Sequence, residues 1–289
     1  MTLTDGPATA PLDGRLGQLE SRVRAALPAH GRLGVAFSAG VDSTVLLALA
    51  ARALGPSRVV AITGDSPSLP RRSLTSARRL AGLIGVRLVE IATAEGELPQ
   101  YRSNGLDRCF HCKDTLFRTI DAAVLRAYGL DAVAYGETAD DMARDDRPGS
   151  AAAARHGVLR PLADAGLHKP DIRALAAALG LPNAAEPAAP CLASRIPHGS
   201  EVTPEKLGQI ERAEAALHEL GLPELRVRHH GPIARLEVPA DRIAEVAAPP
   251  LRDQVLAAVR AAGFPMVTLD LGGLRSGELF QIARRTPRG

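Results

Sequence analysis

The stretch Val35-Ala36-Phe37-Ser38-Ala39-Gly40-Val41-Asp42-Ser43 constrains this chain more than any other. It reads as a short apolar strand, a tight polar loop and the start of a helix that continues through Thr44-Val45-Leu46-Leu47. Ala39 and Gly40 carry little or no side chain, so a ligand can come close to the backbone. Ser43 or Asp42 is expected to cap the helix that follows. A helix start offers unpaired N–H groups and the positive end of a dipole, which suits a phosphate. Ser38 and Ser43 add hydroxyl donors. The loop contains no lysine, so it is not the G-x-x-x-x-G-K-[ST] nucleotide loop. A loop that grips phosphate through N–H and hydroxyl groups could hold the pyrophosphate of ATP and leave the α-phosphate open to attack.

Around that loop the apolar residues alternate between strand and helix periods. Leu16, Leu19, Val23 and Leu27 share one face of a leading helix. Strands are expected at 33–37, 58–63, 86–91 and 131–135, with a weaker fifth at 158–162. Helices are expected at 44–54, 69–84, 109–128 and 169–179. Such alternation implies a doubly wound parallel sheet, here of five strands, covered on both faces. Thr63, Asp65 and Ser66 end the second strand and Gly136 follows the fourth, at the carboxyl ends where open α/β sheets bind ligands. Residues 183–190, rich in Ala and Pro, read as a linker. Beyond them the order changes to a helix from Thr203-Pro204-Glu205 to Leu220, a hairpin at 225–238, two helices near 241–246 and 251–262, and a strand at 266–271. The expected division is therefore a Rossmann-like α/β domain over 1–185 and a smaller α+β domain over 186–289.

The chain has 289 residues and a hydrophobic fraction of 46%, enough for a substantial core. It has no Trp and only 3% aromatics, which argues against a surface that stacks single-stranded nucleic acid. A net charge of +3 fits anionic small molecules as well as nucleic acid and decides nothing by itself. No apolar run approaches membrane-spanning length. Met1 to Pro11 lacks a basic-then-apolar signal pattern, so the expected location is the cytoplasm, with the three cysteines reduced.

Those cysteines stand in distinctive settings. Cys109-Phe110-His111-Cys112 is a C-x-x-C at a helix start, where a thiol ionises more readily. Cys191 lies between prolines in Pro190-Cys191-Leu192-Ala193-Ser194-Arg195-Ile196-Pro197. Three small hydrophobes, a zinc half-site completed by His111, or a redox pair would each account for part of this pattern. A second polar cluster, Gly136-Glu137-Thr138-Ala139-Asp140-Asp141 with Asp145, Asp146 and Arg147, could hold Mg²⁺ against phosphates, with Asp141 the candidate ligand and Arg147 a further candidate. Arg195, Arg226, Arg228 and Arg275 would offer forked donors to a phosphate and carboxylates. His229-His230 reads as a hairpin tip rather than a metal site.

Ser38-Ala39-Gly40-Val41-Asp42-Ser43 resembles the S-G-G-x-D-S loop of the PP-loop pyrophosphatases, with Ala39 where that superfamily has a second glycine. Alanine there costs little in a right-handed backbone and more at positive φ. Four further stretches narrow the resemblance: Asp107-Arg108-Cys109-Phe110-His111-Cys112-Lys113, Pro190-Cys191-Leu192-Ala193-Ser194-Arg195, Arg226-Val227-Arg228-His229-His230-Gly231 and Asp270-Leu271-Gly272-Gly273-Leu274-Arg275-Ser276-Gly277. Together, over about residues 15–280, they resemble the LarE family of ATP-dependent sulfur transferases. That resemblance implies adenylation of a carboxylate on pyridinium biscarboxylic acid mononucleotide, then its conversion to a thiocarboxylate during synthesis of the nickel-pincer nucleotide of lactate racemase. It implies ATP contacts at Phe37, Ser38, Ala39, Gly40, Asp42, Ser43, Thr63, Asp65, Ser66 and Gly136, with Mg²⁺. It implies substrate contacts at Arg195, Arg226, Arg228 and Arg275.

In family members with one such cysteine, the residue matching Cys191 gives up its sulfur. In members with three, the counterparts of Cys109, Cys112 and Cys191 are thought to hold a [4Fe-4S] cluster. The resemblance also implies a homo-oligomer, a hexamer or trimer, and one acidic-loop departure: Asp146 replaces the aromatic before Arg147. Rival readings are a tRNA-thiolating enzyme, which needs a basic, aromatic-bearing RNA surface, an amidating synthetase, which leaves the cysteines without a task, and an adenine-nucleotide sensor without chemistry.

Overall fold

Parallel strands buried on both faces read as near-continuous runs of Val, Ile, Leu and Ala, and four such runs form one sheet. In chain order they are β1 (Leu33–Ala36), β2 (Val59–Asp65), β3 (Arg87–Ala92) and β4 (Ala132–Tyr135). All pairings are parallel and the spatial order is β3-β2-β1-β4. The computed structural model describes residues 11–29, 31–143, 148–187 and 189–275. Arg147, the acidic pair Asp145 and Asp146, and Ser276-Gly277 of the last motif lie outside the described residues.

The chain clusters into two compact units. The first comprises residues 1–66, 71–95 and 109–189. Alternation along its strands splits the core in two. Leu33, Val35, Val59, Ala61 and Ala134 pack with the helices Gly14–Ala25, Val41–Leu54, Arg71–Ile84 and Lys169–Ala178. Val60, Ile62, Val89, Val133 and Tyr135 pack with Phe117, Ile120 and Val124. These last three residues lie on the helical run from Arg108 to Tyr128, which loosens into one π turn at Ile120–Val124. The sheet is therefore doubly wound, as expected.

It has four strands rather than five. Leu159 makes a single parallel bridge to Ala134, giving its N–H to the Val133 carbonyl at 2.8 Å and accepting from Tyr135 N at 2.9 Å. The strand stops there because Pro161 has no N–H to offer the ladder and instead opens the short helix Pro161–Asp164.

The second unit comprises 67–70, 96–108 and 190–289. It carries a sheet of β5 (Arg226–His230), β6 (Ile233–Glu237) and β7 (Met266–Leu269) in that spatial order, with β5 antiparallel and β7 parallel to β6. Pro204 sits at the first turn of the helix Pro204–Glu219, and the Thr203 hydroxyl caps it by accepting from Lys206 N. Val227 and Leu236, paired across the strands, belong to the buried face, as does His229, whose ring meets Phe264 edge-on at 5.2 Å. His229 Nε2 lies 3.1 Å from Gln209 Oε1. Burial, above all other causes, holds both His229 and His230 below the usual histidine range. Among the described residues, no helix is long and apolar enough to cross a membrane.

Candidate functional site

The strand order reverses between β1 and β4, and an open α/β sheet has its binding crevice at the carboxyl ends flanking such a switch point. The Ser38–Ser43 loop leaves β1 at that place and Gly136 leaves β4. The helix Val41–Leu54 is capped by Gly40, in extended conformation (φ −71°, ψ 157°), and not by the side chain of Asp42 or Ser43. The Ser43 hydroxyl instead donates back to the Gly40 carbonyl at 3.0 Å, and Thr44 does the same at 2.9 Å. Ser38 N donates to Ser43 Oγ at 3.3 Å, with the two hydroxyls 3.2 Å apart. Gly40 N reaches Ser38 Oγ at 3.4 Å. The loop is a closed ring of polar contacts, and the first N–H groups of a helix, which have no partner within the helix, suit an anion.

Ala39 has φ +61°, the left-handed conformation that an alanine adopts at a cost. Two contacts hold it there. Asn183, 1% exposed, donates from Nδ2 to the Ala39 carbonyl at 3.0 Å and to Thr44 Oγ1 at 2.9 Å. Asn183 is the first residue of the segment read as a linker, which is thus tied to this loop at its start. Arg173 also donates to the carbonyls of Ala184 and Glu186.

Gly136 is pressed on the same loop: a Cβ there would lie 2.8 Å from Ser43 N and 3.0 Å from Ser43 Cα. Thr63 Oγ1 donates to the Phe37 carbonyl at 2.7 Å, fastening the end of β2 to the end of β1. Asp65 pairs with Arg71 at 2.7 Å, and Arg71 also donates to the Ser66 carbonyl at 2.8 Å.

One residue of this site has no counterpart in the motif reading. Lys169 Nζ lies 2.6 Å from Asp42 Oδ2 and 3.3 Å from Asp141 Oδ2. Asp141 Oδ2 also accepts from Thr138 N at 3.2 Å and Thr138 Oγ1 at 2.9 Å, as the third residue of a capping box. Asp42 Oδ1 is buried without a hydrogen-bond partner. Beside them Asp140 lies below the usual carboxylate range, held there first by His168 and then by the Lys169 N–H. Glu137 is buried behind the site, accepting from the hydroxyls of Tyr135 and Ser150. Burial, then Glu137, pushes the Tyr135 hydroxyl up.

In the second unit, the 3₁₀ turn Leu192–Arg195 follows Cys191 directly. Arg195 is 1% exposed, and both Nε and Nη2 donate to Glu214, at 2.9 and 3.0 Å. Its Nη1 donates to the carbonyls of Pro190 at 2.6 Å and Cys191 at 3.2 Å. Arg108 donates to the Ala193 carbonyl at 2.9 Å and to Asn104 Oδ1, while Asn104 Nδ2 holds the carbonyls of Ile196, Pro197 and Ser200. The backbone around Cys191 is thus bound from several sides.

Arg228 donates twice to Glu237, both at 2.8 Å, and once to the Ser194 carbonyl at 2.8 Å. Arg235 gives Glu237 a further hydrogen bond. Arg226 Nη1 donates to the Arg275 carbonyl at 3.0 Å. Burial, then Arg228 and Arg195, lowers the Arg226 pKa. The four arginines of the sequence reading thus fall in one unit, two of them committed to buried carboxylates.

Cys109 is exposed, and Cys112 and Cys191 are half-buried; none forms a disulfide. Cys109 and Cys112, three apart on the helix Arg108–Thr119, share one face of it. Among the described residues, no group of three or more His, Cys, Asp or Glu side chains could hold a metal ion.

Comparison with known proteins agrees with this geometry. The asparagine synthase family model matches residues 16–141. The pyridinium-3,5-bisthiocarboxylic acid mononucleotide synthase of Lactiplantibacillus plantarum is 34% identical over 255 residues, covering 88% of this chain and 91% of its own length. An uncharacterized protein of Synechocystis is 39% identical over 248 residues, covering 86% of this chain and 91% of its own. The NH₃-dependent NAD⁺ synthetase of Hyperthermus butylicus is 36% identical over 105 residues, 32% of this chain and 38% of its own.

Proposed function

This chain belongs to the pyridinium-3,5-bisthiocarboxylic acid mononucleotide synthase family, and from that premise we propose that it is an ATP-dependent sulfur transferase. Its substrate is the pyridinium-3,5-biscarboxylic acid mononucleotide, and its product serves synthesis of a nickel-pincer nucleotide. The observation that carries this reading is the Ser38–Ser43 ring at the switch point of the sheet, with Gly136 packed on its back. A carboxylate is a poor electrophile. Attack of its oxygen on the α-phosphate of ATP expels pyrophosphate and makes an acyl-adenylate, from which a sulfur nucleophile then expels AMP.

In this reading Phe37, Ser38, Ala39, Gly40, Asp42 and Ser43 receive the phosphates, while Thr63, Asp65, Ser66 and Gly136 border the nucleotide. The carboxylates of Asp42 and Asp141 fit Mg²⁺, a hard cation that binds one or two carboxylates and completes its shell with phosphates and water. Arg195, Arg226, Arg228 and Arg275 serve the anionic mononucleotide. Arg195 and Arg228 also donate to the buried carboxylates of Glu214 and Glu237. Residues 1–185 then form the adenylating domain and 186–289 the substrate-binding and oligomerisation domain of a cytoplasmic homo-oligomer.

For sulfur, Cys191 acts as nucleophile. Its thiolate displaces AMP to form a thioester; loss of the Cα proton with cleavage of the Cβ–S bond would release the thiocarboxylate and leave dehydroalanine. The alternative source uses all three thiolates. Cys109, Cys112 and Cys191 are soft ligands that would hold a [4Fe-4S] cluster, and such a cluster would supply a place for donor sulfide.

The test of the whole reading is pyrophosphate release that depends on the biscarboxylic mononucleotide. Asp42→Ala and Ser43→Ala each remove a contact to a charged phosphate or its ion, worth about 1.5–3 kcal/mol, and should lose that release while staying folded. Undiminished release by both variants would sink the assignment. Gly136→Ala should weaken ATP binding and cost about 1–3 kcal/mol of stability, because backbone and not a flexible side chain stands in the way of its Cβ. Calorimetric titration and urea melts check this, and wild-type affinity with a wild-type midpoint would refute it.

A further inference from the structure

Alternation along β5 and β6 puts Arg226, Arg228, Arg235 and Glu237 on one face of the small sheet, and Thr268, paired with Arg235, carries that face into β7. Asp270 stands two residues beyond Thr268 and completes the row, with its Oδ2 3.3 Å from Arg235 Nη1. Arg235 also donates to Glu237, which Arg228 holds by two hydrogen bonds. These three arginines outnumber the two carboxylates, and a positive excess suits an anionic ligand. Of the four arginines assigned to the substrate, Arg195, Arg226 and Arg228 are buried, while Arg275 is exposed. A buried arginine is held by its packing. An exposed one is held by the turn that carries it.

That turn is built on Asp270. Its N–H donates to the Leu236 carbonyl at 2.8 Å, which ties it to β6. Its carbonyl accepts from Gly273 N at 3.2 Å, and its Oδ1 accepts from Gly272 N at 2.7 Å. Gly273 has φ +71°, a conformation that favours glycine. Leu274 N then donates to the Val238 carbonyl at 2.8 Å, and the Arg275 carbonyl accepts from Arg226 Nη1 at 3.0 Å. Gly272 leaves room for the Arg275 guanidinium: a Cβ there would collide with Arg275 Nη2 and lie 3.0 Å from Asp270 Oδ1. We propose that Asp270 is a positioning residue for substrate binding: it shapes the 270–274 turn so that the Arg275 guanidinium lies over Gly272, ready for an anionic group of the mononucleotide. The proposal rests on the sulfur-transfer reading above and gives one of its arginines a support. An arginine already held in its binding position loses less freedom when the ligand arrives.

The experiment measures pyrophosphate release by the full chain while the pyridinium-3,5-biscarboxylic acid mononucleotide is varied. Asp270→Ala should raise the KM for the mononucleotide about 3- to 10-fold, the effect of leaving one long side chain to be ordered on binding. Lost ground-state binding leaves kcat and the KM for ATP within about twofold of wild type. Asp270→Asn keeps a side-chain oxygen to accept from Gly272 N, so its KM should stay near wild type. In an Arg275→Ala background, Asp270→Ala should add almost nothing, because its effect runs through Arg275. Gly272→Ala is a second route to the same arginine. The atoms in its way belong to side chains, so its urea midpoint should hold while the KM for the mononucleotide rises. An unchanged KM in Asp270→Ala would overturn the proposal, as would a full further rise when Arg275 is already gone. If Asp270→Ala does not fold, an unchanged KM in Gly272→Ala overturns it instead. A wild-type chain whose pyrophosphate release ignores the mononucleotide would remove the sulfur-transfer reading itself, and that control tells the two failures apart.

Discussion

Cys191→Ala is expected to abolish thiocarboxylate formation while substrate-dependent pyrophosphate release continues. The two half-reactions separate because making the acyl-adenylate needs no sulfur nucleophile, whereas the second step does. A thiol serves as nucleophile only if its backbone holds it in place, since small misplacements cost orders of magnitude in rate. Cys191 meets that condition. Its carbonyl accepts from Ser194 N at 3.0 Å and Arg195 Nη1 at 3.2 Å, and the next residue, Leu192, donates to the Ser68 carbonyl at 2.9 Å. Cys109→Ala then separates the two sulfur sources. If Cys191 is consumed, Cys109→Ala stays active, each chain reacts once, and mass spectrometry finds the chain lighter by hydrogen sulfide. If the three thiolates act together on supplied sulfide, turnover is multiple and Cys109→Ala stops it. Visible absorption with iron and sulfide counts on anaerobically purified protein gives a readout independent of activity. Repeated turnover by Cys191→Ala would remove this cysteine from both schemes.

What the sequence revealed, and what it hid, follows from the range of each signal. The strands and helices of the first unit were legible because hydrophobic periodicity is local and each run is bounded by Gly or Pro. The weaker fifth strand misled for the same reason: Val158, Leu159 and Leu162 are apolar, but Pro161 among them has no ladder N–H. Ala39 stood out beside the glycine of related loops, yet its φ of +61° depends on Asn183, a residue 144 positions away. Lys169 carried no signal at all, because it reaches Asp42 only through the fold. Glu214 did leave one that the motif reading passed over. Leu207, Ile210, Glu214 and Leu217 fall on one helical stripe, and a carboxylate on an otherwise apolar stripe calls for a buried cation. Arg195 is that cation, which is why a residue read as a substrate contact turns out to be 1% exposed.

The second large effect comes from this pair. Glu214→Ala should destabilise the second unit by about 3–5 kcal/mol, the cost of leaving a buried charge without its partner, against a total of about 5–15 kcal/mol for a typical domain. Arg195 would lose the acceptor of two hydrogen bonds, and Val227 N would lose the Glu214 Oε1 that accepts from it at 3.0 Å. Replacing both charges, as Arg195→Met/Glu214→Leu, should recover much of that loss, because apolar residues of similar volume substitute well for a buried ion pair. The recovery would be incomplete by the orphaned Val227 N–H. Function should not recover with stability. The double variant lacks the Arg195 Nη1 contacts to the carbonyls of Pro190 and Cys191, so sulfur transfer should stay depressed while pyrophosphate release is normal. Urea melts of the wild type, the single variant and the double variant, run beside the two half-reaction assays, test both halves. A Glu214→Ala chain within about 1 kcal/mol of wild type would show that the Arg195–Glu214 pair adds no more than an exposed one. A double variant with full sulfur transfer would show that the Cys191 loop holds its shape without Arg195.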